Sequence, residues 1–287
     1  MSLAGWVLGT AAGLGLVAGL LIGSIGVGGI ILVPSLIELP IGATDEERVN
    51  TAVASCMFSY IFVGLAGGCA YARKKSVNWH STLWILYGAV PGGAAGAIIV
   101  GYLNALWIKL LLYSLVMLSA IFSMYRTIKQ HKLKDQESSP SEDSEAVESG
   151  SILDHTAWKG RMTRVGIGTV VGVGSALTGT SGPVILLPIL LTLHWDTLDA
   201  LGSAQVVQLP IALAAVAGFL ATAGHHSINW TLGGCLAVGL VPGALAGAAV
   251  AHAIPVNKLR LGVAGILVLA SLFLLAKLVY SELVSPM

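Results

Sequence analysis

Two short glycine clusters hold the residues of this chain best suited to bind a ligand. The first, Gly26-Val27-Gly28-Gly29, runs into an aliphatic stretch that reaches Pro34. The second, Gly179-Thr180-Ser181-Gly182, runs into a similar stretch that reaches Pro188. A helix starting just after such a cluster presents free backbone N–H groups and a partial positive charge of roughly half a unit. Glycine removes the side chain that would keep a ligand away from that backbone. Residues 30–39 and 184–193 are expected to be those helices. Two such N-termini facing each other would hold a small anion without any buried arginine. Gly26, Gly28, Gly29, Thr180, Ser181 and Gly182 are therefore candidate substrate-binding residues. Thr180 and Ser181 add hydroxyl donors, whereas only Val27 stands between the first glycines, so the expected site is asymmetric. The competing reading is structural: the glycines permit a tight turn and close packing.

A second polar set opens the third apolar segment of each half. Asn50, Thr51 and Ser55 stand in the first, and Ser203, Gln205 and Gln208 in the second. Short polar side chains near a helix start often serve as caps. Gln205 and Gln208 lie further in and share a face at i, i+3. An amide is costly in hydrocarbon, so both should face the interior. There they can donate N–H groups to an oxyanion or tie helices together. Thr51, Ser55, Ser203, Gln205 and Gln208 join the candidate substrate-binding set. Lys109 and Arg260, 151 positions apart, suit long side chains reaching for the membrane interface, and they can also draw anions to each mouth. Asn78-Trp79 and Asn229-Trp230 suit span entrances, with Trp as an interface anchor.

Other chemistries find little support. No carboxylate lies clearly at mid-membrane, the histidines sit near span ends, and no proton carrier can be named. No phosphate loop of the GxxxxGK[ST] type is present. The three cysteines have no CxxC spacing and read as packing residues, so no catalytic or metal site and no cofactor is expected. Gly179-Thr180-Ser181-Gly182 has the look of a rhomboid-type intramembrane serine protease, with His252 as a conceivable base. That reading needs His252 within hydrogen-bond reach of Ser181, and the first cluster has no serine counterpart.

These residues sit in a chain built for a bilayer. Of its 287 residues 55% are hydrophobic and only 10% charged, with mean hydropathy +0.85, against about 25% charged in a soluble domain. The net charge of +1 comes without a basic patch, which leaves nucleic-acid binding unsupported. Segments 50–72, 80–102, 104–127, 200–223, 231–252 and 256–280 read as spans, each about long enough to cross. Regions 5–40 and 164–194 are too long for one crossing and too broken for two. They are expected to be hairpins of short or discontinuous helices meeting within the bilayer, where irregular backbone must be buried in protein or line a wet cavity.

The pattern is also duplicated. Ser76-Val77-Asn78-Trp79 returns as Ser227-Ile228-Asn229-Trp230, and Gly88-Ala89-Val90-Pro91-Gly92 as Gly239-Leu240-Val241-Pro242-Gly243. Three parts follow: an N-terminal transmembrane repeat over 1–128, a polar cytoplasmic linker over 129–158, and a C-terminal transmembrane repeat over 159–287. The linker is Ser/Glu-rich and without periodicity. The fold class expected is an all-α polytopic membrane protein with two homologous halves. The halves read as inverted repeats of about five segments, including Gly/Pro-interrupted short or re-entrant helices. Five crossings per half put 12 of the 15 basic residues in the cytoplasm, and four put 11 there, so charge alone does not choose. The length of 5–40 favours five, with both termini outside. A duplicated, glycine-interrupted polytopic chain is the pattern of a secondary transporter.

The order of these motifs resembles the sulfite exporter family of TauE/SafE type. The resemblance rests on Gly23-Ser24-Ile25-Gly26-Val27-Gly28-Gly29 to Pro34, Gly179-Thr180-Ser181-Gly182-Pro183 to Pro188, Ala200-Leu201-Gly202-Ser203, and the Asn-Trp and Gly-x-x-Pro-Gly pairs. Pro183 and Asn50-Thr51-Ala52 depart from the family pattern. The resemblance implies export of sulfite, organosulfonates or related sulfur oxyanions across a bacterial inner membrane, driven by a proton gradient. Expected partners are a small anionic substrate and the lipid bilayer, with protons as coupling ion and a homodimer also admitted. A passive anion channel and a non-transporting scaffold are the other readings.

Overall fold

The computed structural model describes residues 5–115, 117–118, 158–193, 195–222 and 228–253. The described chain is helical without strands. The helices are α1 (Gly5–Ile25), α2 (Gly29–Ile37), α3 (Asp45–Arg73), α4 (Trp79–Val100), α5 (Ala105–Leu115), α6 (Trp158–Thr178), α7 (Gly182–Thr192), α8 (Thr197–Thr222) and α9 (Trp230–Ala253). Among these, α1, α3, α4, α8 and α9 are long and apolar enough to cross a membrane. The expected span 256–280, most of the linker and the later part of 104–127 lie outside the described residues, as do His194, His225 and His226.

The two hairpins differ from expectation in their first arms. Region 5–40 does not begin with a broken helix: α1 is one continuous helix of 21 residues. In the second hairpin the first arm, α6, also has 21 residues because it starts at Trp158, ahead of the basic residues Lys159, Arg161 and Arg164. Those cations do not end the apolar helix. The Arg161 guanidinium lies 5.2 Å above the Trp84 ring, and Arg164 is buried. Only the second arms are short. At 1.5 Å rise per residue, α2 and α7 reach about 13 and 16 Å, half of the hydrocarbon core.

Each long arm stops at a glycine. Gly26 (φ +83°) and Gly179 (φ +66°) adopt the left-handed conformation that ends a helix cheaply. The Gly26 N–H turns back to the carbonyls of Leu21 and Ile22, both at 3.0 Å. Pro183 then occupies the first turn of α7, where its missing N–H costs nothing. At the other entrance, Thr44 caps α3 by accepting from the Glu47 N–H at 3.2 Å, and three acidic residues complement the helix dipole.

The halves are interleaved. Helix α1 lies along α9, and α4 along α6, so each pair takes one helix from each half. Gly15, Gly19 and Gly23 face Leu236, Leu240 and Ala244, while Gly88, Gly92 and Gly96 face Val165, Thr169 and Val173. A Cβ at Gly92 would stand 2.6 Å from the Thr169 oxygen, and one at Gly96 2.6 Å from the Val173 oxygen. The absent side chains thus set the interaxial distance. Residue numbers rise together in both pairs, which makes them parallel.

Helices α3 and α8 form the centre and run the other way. Tyr71 meets Gly202, Gly67 meets Gln205 and Gly64 meets Leu209. A pseudo-two-fold relation emerges from these contacts. Ser55 Oγ accepts from the Asn229 N–H at 3.1 Å, and Ser203 Oγ accepts from the Asn78 N–H at 3.3 Å. Ser55 and Ser203 are thus equivalent, 148 positions apart.

Candidate functional site

The turns that separate the long and short arms of the two hairpins touch each other. A Cβ on Gly29 would lie 2.5 Å from the Ser181 nitrogen and 3.0 Å from both Ser181 Oγ and Tyr60 Oη. One on Gly26 would lie 2.9 Å from Pro183 Cβ. The Ser181 hydroxyl is 3.5 Å from the Gly26 carbonyl, at the outer limit for donation. Helices α2 and α7 therefore begin beside each other, level with the middle of α3 (Tyr60) and of α8 (Gln208). The N–H groups of Gly28, Gly29, Ser181 and Gly182 make no backbone hydrogen bond. Ser181 occupies the cap position of α7 but makes no side-chain cap bond, and Gly28 has no side chain to offer α2.

Beside these N-termini stand polar atoms without partners. Gln208 is 1% exposed, and neither its Oε1 nor its Nε2 is hydrogen-bonded. It packs against the start of α7: a Cβ on Gly182 would lie 3.6 Å from Gln208 Cα. Tyr60 Oη, beside the start of α2, is likewise buried, with no oxygen or nitrogen partner and only the weak Cys56 thiol one turn away beside it. Buried polar groups are nearly always satisfied, so each of these calls for a physical account. Tyr60 and Gln208 are 148 positions apart, so they are the same position in the two halves.

The remaining candidates do not gather there. Gln205 donates from Nε2 to the Ile22 carbonyl at 2.6 Å and ties α8 to the end of α1, its Oε1 being unbonded. Ser55 and Ser203 tie their helices to the starts of α9 and α4. Thr180 shares a 2.8 Å hydrogen bond with the Thr178 hydroxyl. Thr51 is buried one turn before Ser55. Gly28 packs against Ala18 and Ile22 of α1, inside its own hairpin. Gly26, Gly29, Ser181, Gly182 and Gln208 are the sequence candidates that come together.

The outlying residues take structural roles. Lys109 pairs with Asp45 at 2.9 Å near a surface, and Arg260 lies outside the described residues. Asn78 and Asn229 cap α4 and α9, accepting from the N–H groups of Ser81 and Leu232 at 3.3 and 3.0 Å. Trp79 and Trp230 are about half exposed, as interface anchors should be. His252 bonds the Ala248 carbonyl at 2.7 Å through Nδ1 and approaches Ser76 at 3.5 Å through Nε2. It stands at the end of α9 and is not paired with Ser181. The protease reading therefore lacks its base.

Tyr60 escaped the sequence reading. The displacement of 151 that aligns the Asn-Trp and Gly-x-x-Pro-Gly motifs puts Tyr60 opposite Ile211, an ordinary apolar position. Aligning Ser55 with Ser203 instead would have placed it opposite Gln208.

The comparisons with known proteins agree with this architecture. The chain is similar to "Probable membrane transporter protein YunE" of Bacillus subtilis (strain 168), 26% identical over 255 residues, which cover 84% of this chain and 86% of the relative. No solved structure matches it. A family model described as "Sulfite exporter TauE/SafE" matches residues 11–274, a stretch that takes in both turns, the second hairpin and all of the first but the opening of α1. With most of the chain matched, this polytopic helical protein belongs to the sulfite exporter TauE/SafE family of membrane transporters.

Proposed function

We propose that the protein is a secondary carrier that exports a small sulfur oxyanion, such as sulfite or an organosulfonate, by alternating access. The observation that carries this reading is the meeting of two short-helix N-termini beside an unbonded, fully buried glutamine amide. Backbone N–H groups and the amide are anion donors, and all lie level with the middle of the central helices. The antiparallel course of α3 and α8 supports inverted repeats, the arrangement in which one half rocks against the other around a central site. The close approach of Gly29 to Ser181 suits a gated carrier better than an open pore. The proton gradient is the proposed driving force.

Flux into proteoliposomes tests this. Sulfite or methanesulfonate movement should saturate with concentration, respond to an imposed pH gradient and fall to background in Gly182→Leu. Gly182→Ala serves as the folding control, because a Cβ there meets neighbours no closer than 3.4 Å. Linear, gradient-insensitive flux would instead identify a channel. Unchanged flux in the leucine variant would remove the site from this position.

A further inference from the structure

The donors at the paired turns are all electrically neutral. They are backbone N–H groups, the Gln208 amide, the Tyr60 hydroxyl and the Ser181 hydroxyl. Among the described residues, Arg164 is the one charged side chain in the buried set. It stands near the start of α6, fourteen residues before the Thr178 end that adjoins the turn. At helical rise that separates it from the turn by about 21 Å. Glu38 follows the far end of α2, about 13 Å from its N-terminus. No described cation stands at the turns to balance a second negative charge.

Charge arithmetic then limits the ligand. The cost of removing an ion from water rises with the square of its charge, whereas the attraction of fixed dipoles rises only in proportion to it. Two helix N-termini each carry about half a positive unit, so together they match one negative charge. The side-chain donors are related by the pseudo-two-fold: Tyr60 stands beside α2 and Gln208 beside α7. Gln208 is buried without a protein partner, and Tyr60 Oη has only the weak Cys56 thiol one turn away beside it, as expected of groups whose main partner arrives with the ligand.

We infer that this site selects singly charged anions, that Tyr60 and Gln208 are its two specificity-determining side-chain donors, and that doubly charged anions are excluded for want of a balancing cation. The inference rests on the anion-site reading above and adds the charge class of the ligand. A ligand that exists in both charge states near neutral pH is bound as its monoanion.

Methanesulfonate and sulfate test this directly, because they differ by one methyl in place of one oxyanion. Binding to the purified full-length protein is read by thermal stabilisation at fixed ionic strength. Methanesulfonate should bind at least about tenfold more tightly than sulfate. Tyr60→Phe and Gln208→Leu should each weaken methanesulfonate by roughly tenfold, as expected for losing a hydrogen bond to a charged group. Neither should lower the ligand-free Tm, which a merely structural role would do. Gln208→Arg, which adds a charge beside Gly182, should narrow or reverse the preference. Should the arginine variant fail to fold, the wild-type comparison and the two removals still decide. Equal binding of both anions, lost in Gly182→Leu, would overturn the charge inference while leaving the anion site standing. Methanesulfonate binding unchanged in Tyr60→Phe and Gln208→Leu would overturn the assignment of the donors. No stabilisation by either anion would overturn the inference and the site together.

Discussion

Gln205 and Gln208 stand three residues apart on one helix, and in the sequence they are equivalent. Each can donate to an anion or join two helices. The structure separates them by a single bond. Gln205 spends its Nε2 on the Ile22 carbonyl at 2.6 Å, whereas both polar atoms of Gln208 are unbonded beside Gly182. The two amides should therefore fail in opposite ways. Gln205→Leu should lower stability by about 1 kcal/mol, the net worth of one buried hydrogen bond, and leave anion affinity unchanged. Gln208→Leu should keep the melting temperature and lose affinity, because removing an unsatisfied buried group leaves nothing unpaired. Paired melting and anion-titration curves for the two variants check this, and parallel losses in both would mean that neither amide has a dedicated role. Residue types revealed which atoms need partners, but partners reside on other helices. That is why Ser55 and Ser203 read as possible donors when their oxygens are occupied by Asn229 and Asn78. Tyr60 was hidden by connection lengths. Between turn and central donor the second half is five residues shorter (Gly182 to Gln208, against Gly29 to Tyr60). It is three residues longer from there to the next cap. One displacement cannot align both stretches.

At the scale of elements, the short second arms α2 and α7 were legible, since a glycine cluster and a proline bound each apolar run. The first arms were not. Glycines scattered through α1 look like breaks, yet Gly15, Gly19 and Gly23 are the face on which α9 lies. Whether a membrane glycine breaks a helix or seats a neighbour depends on what approaches it, and that is tertiary information. The glycines therefore divide into two experimental classes. Gly96→Leu places a side chain where a Cβ alone would be 2.6 Å from the Val173 oxygen, so α4 and α6 must separate. Overpacking of this kind costs about 1–3 kcal/mol or more. Gly13→Ala meets nothing within 4 Å and should be neutral or slightly stabilising. Thermal midpoints of the two purified variants test the division, and a Gly96→Leu protein as stable as wild type would mean that the α4–α6 packing is not close.

For the whole molecule, helix directions and charge positions point to one orientation. The contacts of Ser76 with His252 and of Asn78 with Ser203 gather the end of α3, the starts of α4 and α8 and the end of α9 at one side. Helix α6 starts there too, because it runs parallel to α4. The Lys109–Asp45 pair marks the opposite side, where α3 and α5 start. Of the eight described lysines and arginines, Arg73, Lys74, Lys75, Lys159, Arg161 and Arg164 lie at the first side, and Arg48 and Lys109 at the second. Basic residues are retained in the cytoplasm, so the first side should be cytoplasmic, with the start of α6 and the adjoining linker. Charge counting along the sequence could not choose between four and five crossings per half. The antiparallel course of α3 and α8 is what an odd number per half would give. Single cysteines in a background lacking Cys56, Cys69 and Cys235 make this measurable with a membrane-impermeant maleimide. Ala43→Cys and Asn104→Cys, both exposed, should label in intact cells, whereas Lys74→Cys and Asp196→Cys should label only after permeabilisation. Reversal at all four positions would keep the fold and invert its insertion. Labelling that put positions 74 and 196 on opposite sides would break the antiparallel relation of α3 and α8, and with it the geometry on which alternating access depends.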